Sequence, residues 1–177
     1  MSENGQTRET VPFEVPHPHL KEFLEFLPEL NKESDRGMVL IATSYLDELL
    51  KRVLLSFFRE DRASEILVEG FNAPLGSFST RIVACTALGL INDHERQEAD
   101  CVRKIRNHFA HNVHVTFEDR NIKDLCSNLK MAAQPYGDIV VSARGLFSTA
   151  SVGLIMSLTN RPTYVSRKRL KAVEWQR

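Results

Sequence analysis

The strongest sign of fold class lies in residues 36–58, which read Arg36-Gly-Met-Val-Leu-Ile-Ala-Thr-Ser-Tyr-Leu-Asp-Glu-Leu-Leu-Lys-Arg-Val-Leu-Leu-Ser-Phe-Phe58. The apolar positions of this stretch recur with the 3.6-residue period of a helix that faces a core. They are Val39, Ala42, Leu46, Leu49, Leu50, Val53, Leu54 and Phe57. With Asp35 as its N-cap, the stretch predicts a long core-facing helix.

Helical signals continue on both sides of this stretch. The other predicted helices cover about residues 20–30, 63–68, 78–88, 93–110, 121–129 and 142–158. No alternating strand series, internal repeat or βαβ order interrupts them. The sequence therefore predicts an all-α bundle of six or seven helices, with the second and the last among the longest.

The 177-residue length predicts one domain, and the composition suggests a tail at each end. Prolines at positions 12, 16 and 18 favour a flexible tail over residues 1–18, followed by a single helical domain over residues 19–160. Residues 161–177 hold six bases against one acid and predict a basic tail. The acidic N-terminal part and this tail could pair within or between chains, or stay solvated; the tail could also contact RNA or DNA.

Overall composition is that of a soluble globular protein, with 42% apolar and 26% charged residues. Equal numbers of acids and bases, 23 each, argue against a protein that coats nucleic acid through bulk charge. There is no signal-peptide pattern, and the longest apolar stretch, residues 145–158, is too short and too polar to span a bilayer. We therefore expect a cytoplasmic protein without membrane contact.

The cysteines Cys85, Cys101 and Cys126 lack the CxxC spacing of zinc and redox sites. Cys85 and Cys101 lie among apolar neighbours, which favours buried thiols in a reducing compartment. The phosphate-binding loop, the dinucleotide-binding glycine motif and the hydrolase nucleophile elbow are all absent from the sequence. No cofactor is therefore predicted.

The main candidate site is Arg106-Asn107-His108-Phe109-Ala110-His111. A guanidinium suits phosphate and an imidazole moves protons near neutral pH, so the cluster could cleave a phosphodiester without a metal. The same cluster could be a structural hydrogen-bond knot. Five residues separate Arg106 from His111, about 140° around a helix, so they converge only if the helix ends near Ala110 or a second subunit contributes. Asn112 is suited to a left-handed helix ending.

Two other uses of the polar residues are less well supported. His108, His111 and His114 form an HxxHxxH pattern, but Asn112 and the β-branched residues after it suggest that the helix ends there, which opposes a metal site. No predicted helix begins with the Arg, Asn and Gln of a recognition helix, which argues against direct helix-turn-helix DNA binding. Residues 70–76, Gly-Phe-Asn-Ala-Pro-Leu-Gly, predict a rigid turn anchored by Phe71 and Leu75.

Two family resemblances follow from these residues. Arg106-Asn107-x-x-x-His111 is similar to the signature of HEPN domains, which are helical nucleotide-binding domains. The wider arrangement resembles the mannitol operon repressor family (MltR, also written MtlR). Its four blocks are Val39–Leu50, Gly70–Ile82, Ala87–Ile91 and Ile105–His111.

The HEPN resemblance implies a HEPN-like helical bundle, a homodimer and, in active members, a metal-independent endoribonuclease. Arg106 would then hold the scissile phosphate, His111 would act as general acid or base, and Asn107 would orient one of them. The MltR resemblance implies a transcriptional repressor or co-regulator that acts through protein or nucleic-acid contacts. Two hypotheses stay open: a regulator on a HEPN-like scaffold, which we favour, and a ribonuclease or RNA-binding protein.

Overall fold

The computed structural model describes residues 21–136, 138 and 140–175, and these residues form eight helices. In chain order they are α1 (Lys21–Lys32), α2 (Asp35–Phe57), α3 (Arg62–Val68), α4 (Phe78–Ala87), α5 (Asp93–His111), α6 (Arg120–Ser127), α7 (Ala143–Thr159) and α8 (Arg161–Ser166). No β-strand forms within the described ranges, and the predicted all-α bundle is confirmed. The count exceeds the prediction by the short α8, which Asn160 alone separates from α7.

The 23-residue α2 is the longest helix and lies at the centre of the bundle, in contact with α1, α3, α4, α5, α7 and α8. Seven of its eight predicted core positions are buried, and the eighth, Phe57, is partly buried against the same core. Burying a Leu or Val side chain contributes about 1.5–3 kcal/mol, so this stripe makes a large contribution to stability.

The N-cap of α2 is Ser34, whose side chain accepts from the Gly37 N–H, and the prediction of Asp35 was wrong by one residue. The Asp35 carboxylate has other partners. It accepts from the Arg144 guanidinium of α7 at 2.5 Å and from the Phe117 N–H at 3.3 Å. Asp35 thus joins three parts of the chain at the start of α2.

An aromatic cluster fills the space between α5, α7 and the segment before α6. The ring centroid of Phe117 lies 5.1 Å from that of Phe109 and 5.6 Å from that of Phe147. All three rings are buried. Tilted pairs at this separation stabilise a core beyond their buried area, and they position the C-terminal end of α5.

Part of the predicted basic tail belongs to the helical body. Arg161 begins α8, which packs on α2, and its guanidinium bonds the Glu95 carboxylate and the Leu90 carbonyl. Beyond α8, the Leu170 N–H donates to the Phe57 carbonyl at 2.8 Å. Because these contacts join residues at least 66 apart in sequence, composition alone did not reveal them. The predicted N-terminal tail, residues 1–18, lies outside the described residues.

The three cysteines are free thiols. Cys85 and Cys126 are buried, and burial raises the pKa of each thiol to about 12, whereas Cys101 is half-buried. The sequence prediction of buried thiols is confirmed for Cys85. Among the described residues, no helix combines the length and the apolar character needed to cross a membrane.

Candidate functional site

The Arg106–His111 motif lies on an unbroken helix, α5. At its start, the Asn92 side chain accepts from the Glu95 N–H and the Glu95 carboxylate accepts from the Asn92 N–H, which is a capping box. The helix continues through His111 and ends because Asn112 is extended, with φ −124° and ψ 122°. The left-handed Asn112 expected from the sequence was therefore wrong.

The end of α5 is bound by Arg36, from the first turn of α2. Its guanidinium donates to the carbonyls of Phe109, Asn112 and Val113, the last at 2.9 Å. The final carbonyls of a helix have no partner within it, and a cation there also matches the negative end of the helix dipole. These bonds explain the extended Asn112, because that conformation presents the carbonyls after the helix to Arg36.

Arg106 and Asn107 face the start of α4. The exposed Arg106 guanidinium donates to Asn107 Oδ1 at 3.2 Å. Both residues line a groove whose other walls are Asp47, Gly76, Ser77, Phe78, Ser79 and Arg103. The groove thus combines two guanidiniums with the positive end of the α4 dipole, and its carboxylate is that of Asp47.

His108 and His111 open onto a different and larger groove, of about 780 Å³, between α5 and α6. Its walls also include Asn112, Val113, His114, Val115, Asp119, Arg120, Asn121 and Ile122. Three imidazoles and the N-terminus of α6 therefore share this groove. The sequence analysis selected His111 but missed Arg120 and Asn121. The pattern that could have indicated them is a predicted helix with a polar start a few residues after the histidines.

A single chain does not bring Arg106 and His111 together. In a regular helix five residues still separate their side chains by about 140°, and the two residues line different grooves. Asn107 lines the Arg106 groove and also a small separate groove that it shares with His111. A site that uses both Arg106 and His111 needs a second chain or a ligand that reaches around the helix.

The HxxHxxH pattern does not continue on one helix face, because His114 lies in the loop after α5. Within the part of the chain that the structure describes, no group of three or more His, Cys, Asp or Glu side chains is placed to hold a metal ion.

Comparison with known proteins adds a structural match to this geometry. Neither a protein-family model nor a curated protein sequence matches the chain. Among solved structures, a chain in the X-ray structure of the MtlR–HPr complex from Escherichia coli matches with a TM-score of 0.59 and 25% sequence identity. The match covers 81% of this chain and 97% of that chain. The chain is similar to MtlR. The expected resemblance to the mannitol operon regulators is confirmed, and the HEPN resemblance stays a prediction.

Two of the MtlR-like blocks, Val39–Leu50 and Gly70–Ile82, meet at Arg81, to which the sequence analysis gave no role. Its buried guanidinium lies beside Asp47 of α2 and donates to the carbonyls of Val68 and Leu75 at 3.1 and 3.0 Å. These bonds hold both sides of the turn formed by residues 70–76. The sequence signal for this ion pair was a base, Arg81, on an otherwise apolar predicted helix, together with an acid, Asp47, on the long second helix.

The turn itself differs from the prediction at one position. Leu75 packs against the core as expected, but Phe71 is 98% exposed and anchors nothing within the chain. Its neighbours explain this orientation, because Gly70 and Asn72 both have positive φ, 103° and 59°, which turns the residue between them outward.

Proposed function

We propose that this chain is a regulatory protein that acts by binding a partner protein, and that the partner is an HPr. The observation that carries the proposal is the structural match to MtlR, which was solved in complex with HPr. The coverage of 97% of the matched chain means that nearly the whole MtlR fold has a counterpart here. Regulation through protein contacts is therefore better supported than catalysis.

The motif geometry is consistent with this proposal. Arg106 and His111 line separate grooves, so one chain does not assemble the three proposed catalytic residues around one point. We further propose that the protein regulates transcription as a homodimer in the cytoplasm, as a repressor or co-regulator. The free buried thiols suit that reducing compartment.

The test is calorimetric titration of the chain with purified HPr, with an unrelated protein of similar charge as control. We expect a saturable complex of micromolar affinity, typical of transient regulatory contacts. Absence of binding with both proteins at about 100 µM would contradict the proposal. Once binding is measured, alanine variants of exposed apolar residues locate the interface. These residues are Phe71, Val113, Tyr136 and Trp175.

The second candidate is a metal-independent endoribonuclease that uses Arg106, Asn107 and His111 from two chains. Its structural support is the exposed Arg106–Asn107 pair, which already orients the guanidinium. Cleavage of RNA in EDTA should then fall about 10²–10⁴-fold in His111→Ala and be poorly rescued by Arg106→Lys. Wild-type protein that cleaves no RNA would remove this candidate and leave HPr binding unaffected.

A further inference from the structure

We propose that the groove between α5 and α6 binds a phosphate monoester through His111, His114, Arg120 and the first backbone amides of α6. This site is distinct from the Arg106 groove and does not rest on the proposed HPr partner. It is open to solvent and lined by residues from three consecutive parts of the chain: the end of α5, the loop after it and the start of α6.

Arg120 is the cation of this groove. Its side chain is exposed, and within the described residues its guanidinium has no hydrogen bond or ion pair. Four arginines elsewhere in the fold are engaged: Arg36 binds carbonyls, and Arg81, Arg144 and Arg161 each pair with a carboxylate. A guanidinium left without a partner beside a groove has its fork of donors available for phosphate oxygens.

The start of α6 adds backbone donors. Asp119 is its N-cap residue but makes no side-chain cap, and its Oδ2 instead accepts from the Thr116 N–H at 3.0 Å. Among the described residues, the N–H groups of Arg120 and Asn121 therefore have no partner. Both residues line the groove, so the positive end of the helix dipole faces the same space as Arg120.

The charges around the groove favour an anion. Facing groups are the imidazoles of His108, His111 and His114, the Arg120 guanidinium and the Asp119 carboxylate. Outside the groove, Arg36 binds the loop carbonyls, and Glu118 is paired with Lys123 at 2.6 Å.

The lining also favours a small ester over a bare ion. Val113, Val115 and Ile122 give the groove an apolar part beside its donors, which suits the organic group of a monoester. A volume of about 780 Å³ lies in the range of small-molecule sites. The net charge of zero gives no support for binding along an extended nucleic acid.

The test is an NMR titration of the histidine imidazoles at pH 6.5 with inorganic phosphate, AMP and a short RNA, at constant ionic strength. We expect saturable shifts of the His111 and His114 signals with phosphate and AMP, and tighter binding of AMP. Arg120→Gln should weaken AMP binding about tenfold, the usual effect of losing one charge-assisted hydrogen bond. Because Arg120 is exposed, that variant should stay folded.

Two arginine variants serve as controls. Arg62→Gln removes an exposed arginine on α3 and should leave AMP binding unchanged. Arg106→Gln should also leave it unchanged, because Arg106 lines the other groove. Non-saturable shifts at millimolar phosphate, equal weakening by Arg106→Gln, or binding of RNA alone would each overturn the proposal. HPr binding, measured separately, stands or falls independently of these outcomes.

Discussion

Arg81 Nη1 of α4 lies 2.7 Å from Asp47 Oδ1 of α2, beneath the turn of residues 70–76. The Arg81 side chain is 9% exposed and that of Asp47 30%, so the pair is largely shielded from water. Asp47 also lines the groove of Arg106. One ion pair therefore connects the turn, the central helix and one side of the candidate motif.

We expect Arg81→Met to lower the free energy of unfolding by roughly 2–4 kcal/mol, because Asp47 loses its cation and two backbone carbonyls lose their donor. Urea denaturation measures this change. The matched control is Arg62→Met, an exposed arginine whose removal should change stability by less than about 0.5 kcal/mol. Equal stability of Arg81→Met and wild type would show that the pair contributes little.

Two phenylalanines should respond oppositely to truncation. Phe109→Ala should destabilise the protein by roughly 3–5 kcal/mol, because the buried ring contacts Phe117 and its loss leaves a cavity. Phe71→Ala should leave the melting temperature nearly unchanged, because that ring is almost fully exposed. A large destabilisation by Phe71→Ala would mean that the turn packs differently in solution.

Arg161 should matter for stability although it lies in the stretch predicted to be a tail. Glu95 is 4% exposed and its carboxylate lies 2.6 Å from the Arg161 guanidinium, so Arg161→Ala leaves a buried charge without its cation. We expect a loss of roughly 2–4 kcal/mol in chemical denaturation. Lys168→Ala, an exposed base in the next turn, is the control and should have little effect.

Thiol chemistry gives a pH-dependent prediction. Burial raises the pKa of Cys85 from 9.0 to about 12, so about one thiol in ten thousand is ionised at pH 8. Iodoacetamide should therefore modify Cys85 and Cys126 far more slowly in the folded protein than in denaturant, as measured by mass spectrometry. Rapid labelling of Cys85 without denaturant would contradict its burial.

The same shift has a consequence for stability. A raised pKa means that the folded state favours the neutral thiol, so this contribution is complete below pH 9.0 and is lost as the pH rises toward about 12. Unfolding free energies should therefore fall across that window.

The proposed homodimer can be tested through α5. Sedimentation at about 50 µM should give a dimer. Ala110→Lys places a cation between Arg106 and His111 on the exposed side of α5, so two such faces would repel and favour the monomer. Ala63→Lys, on the exposed side of α3, is the matched control and should remain dimeric. Monomeric wild-type protein would remove the composite site.

Local signals accounted for most of the fold. Helices α4 and α5 begin at residues 78 and 93, as predicted, because the caps that start them, Ser77 and Asn92, act within three residues. The apolar stripe of α2 is buried as expected, since period alone determines which face turns inward. The divergence of Arg106 and His111 likewise followed from helix geometry.

Other features depend on distant partners and could not be predicted from local patterns. The six-residue α8 has too few apolar positions to show a period, and its placement relies on Arg161 and Val165 meeting other helices. The outward turn of Phe71 depends on backbone angles at its two neighbours. The polar residues of the motif line two different grooves. Their assignment to one groove or the other depends on where α4 and α6 begin relative to α5.

The bond between Glu95 and Arg161 also sets an order of events during synthesis. Glu95 leaves the ribosome 66 residues before its cation, so the nascent chain carries a carboxylate that cannot yet be buried with its charge compensated. The first turn of α5 must stay hydrated, or Glu95 protonated, until residue 161 has emerged. Final closure of the bundle around Glu95 therefore waits until Arg161 has been made.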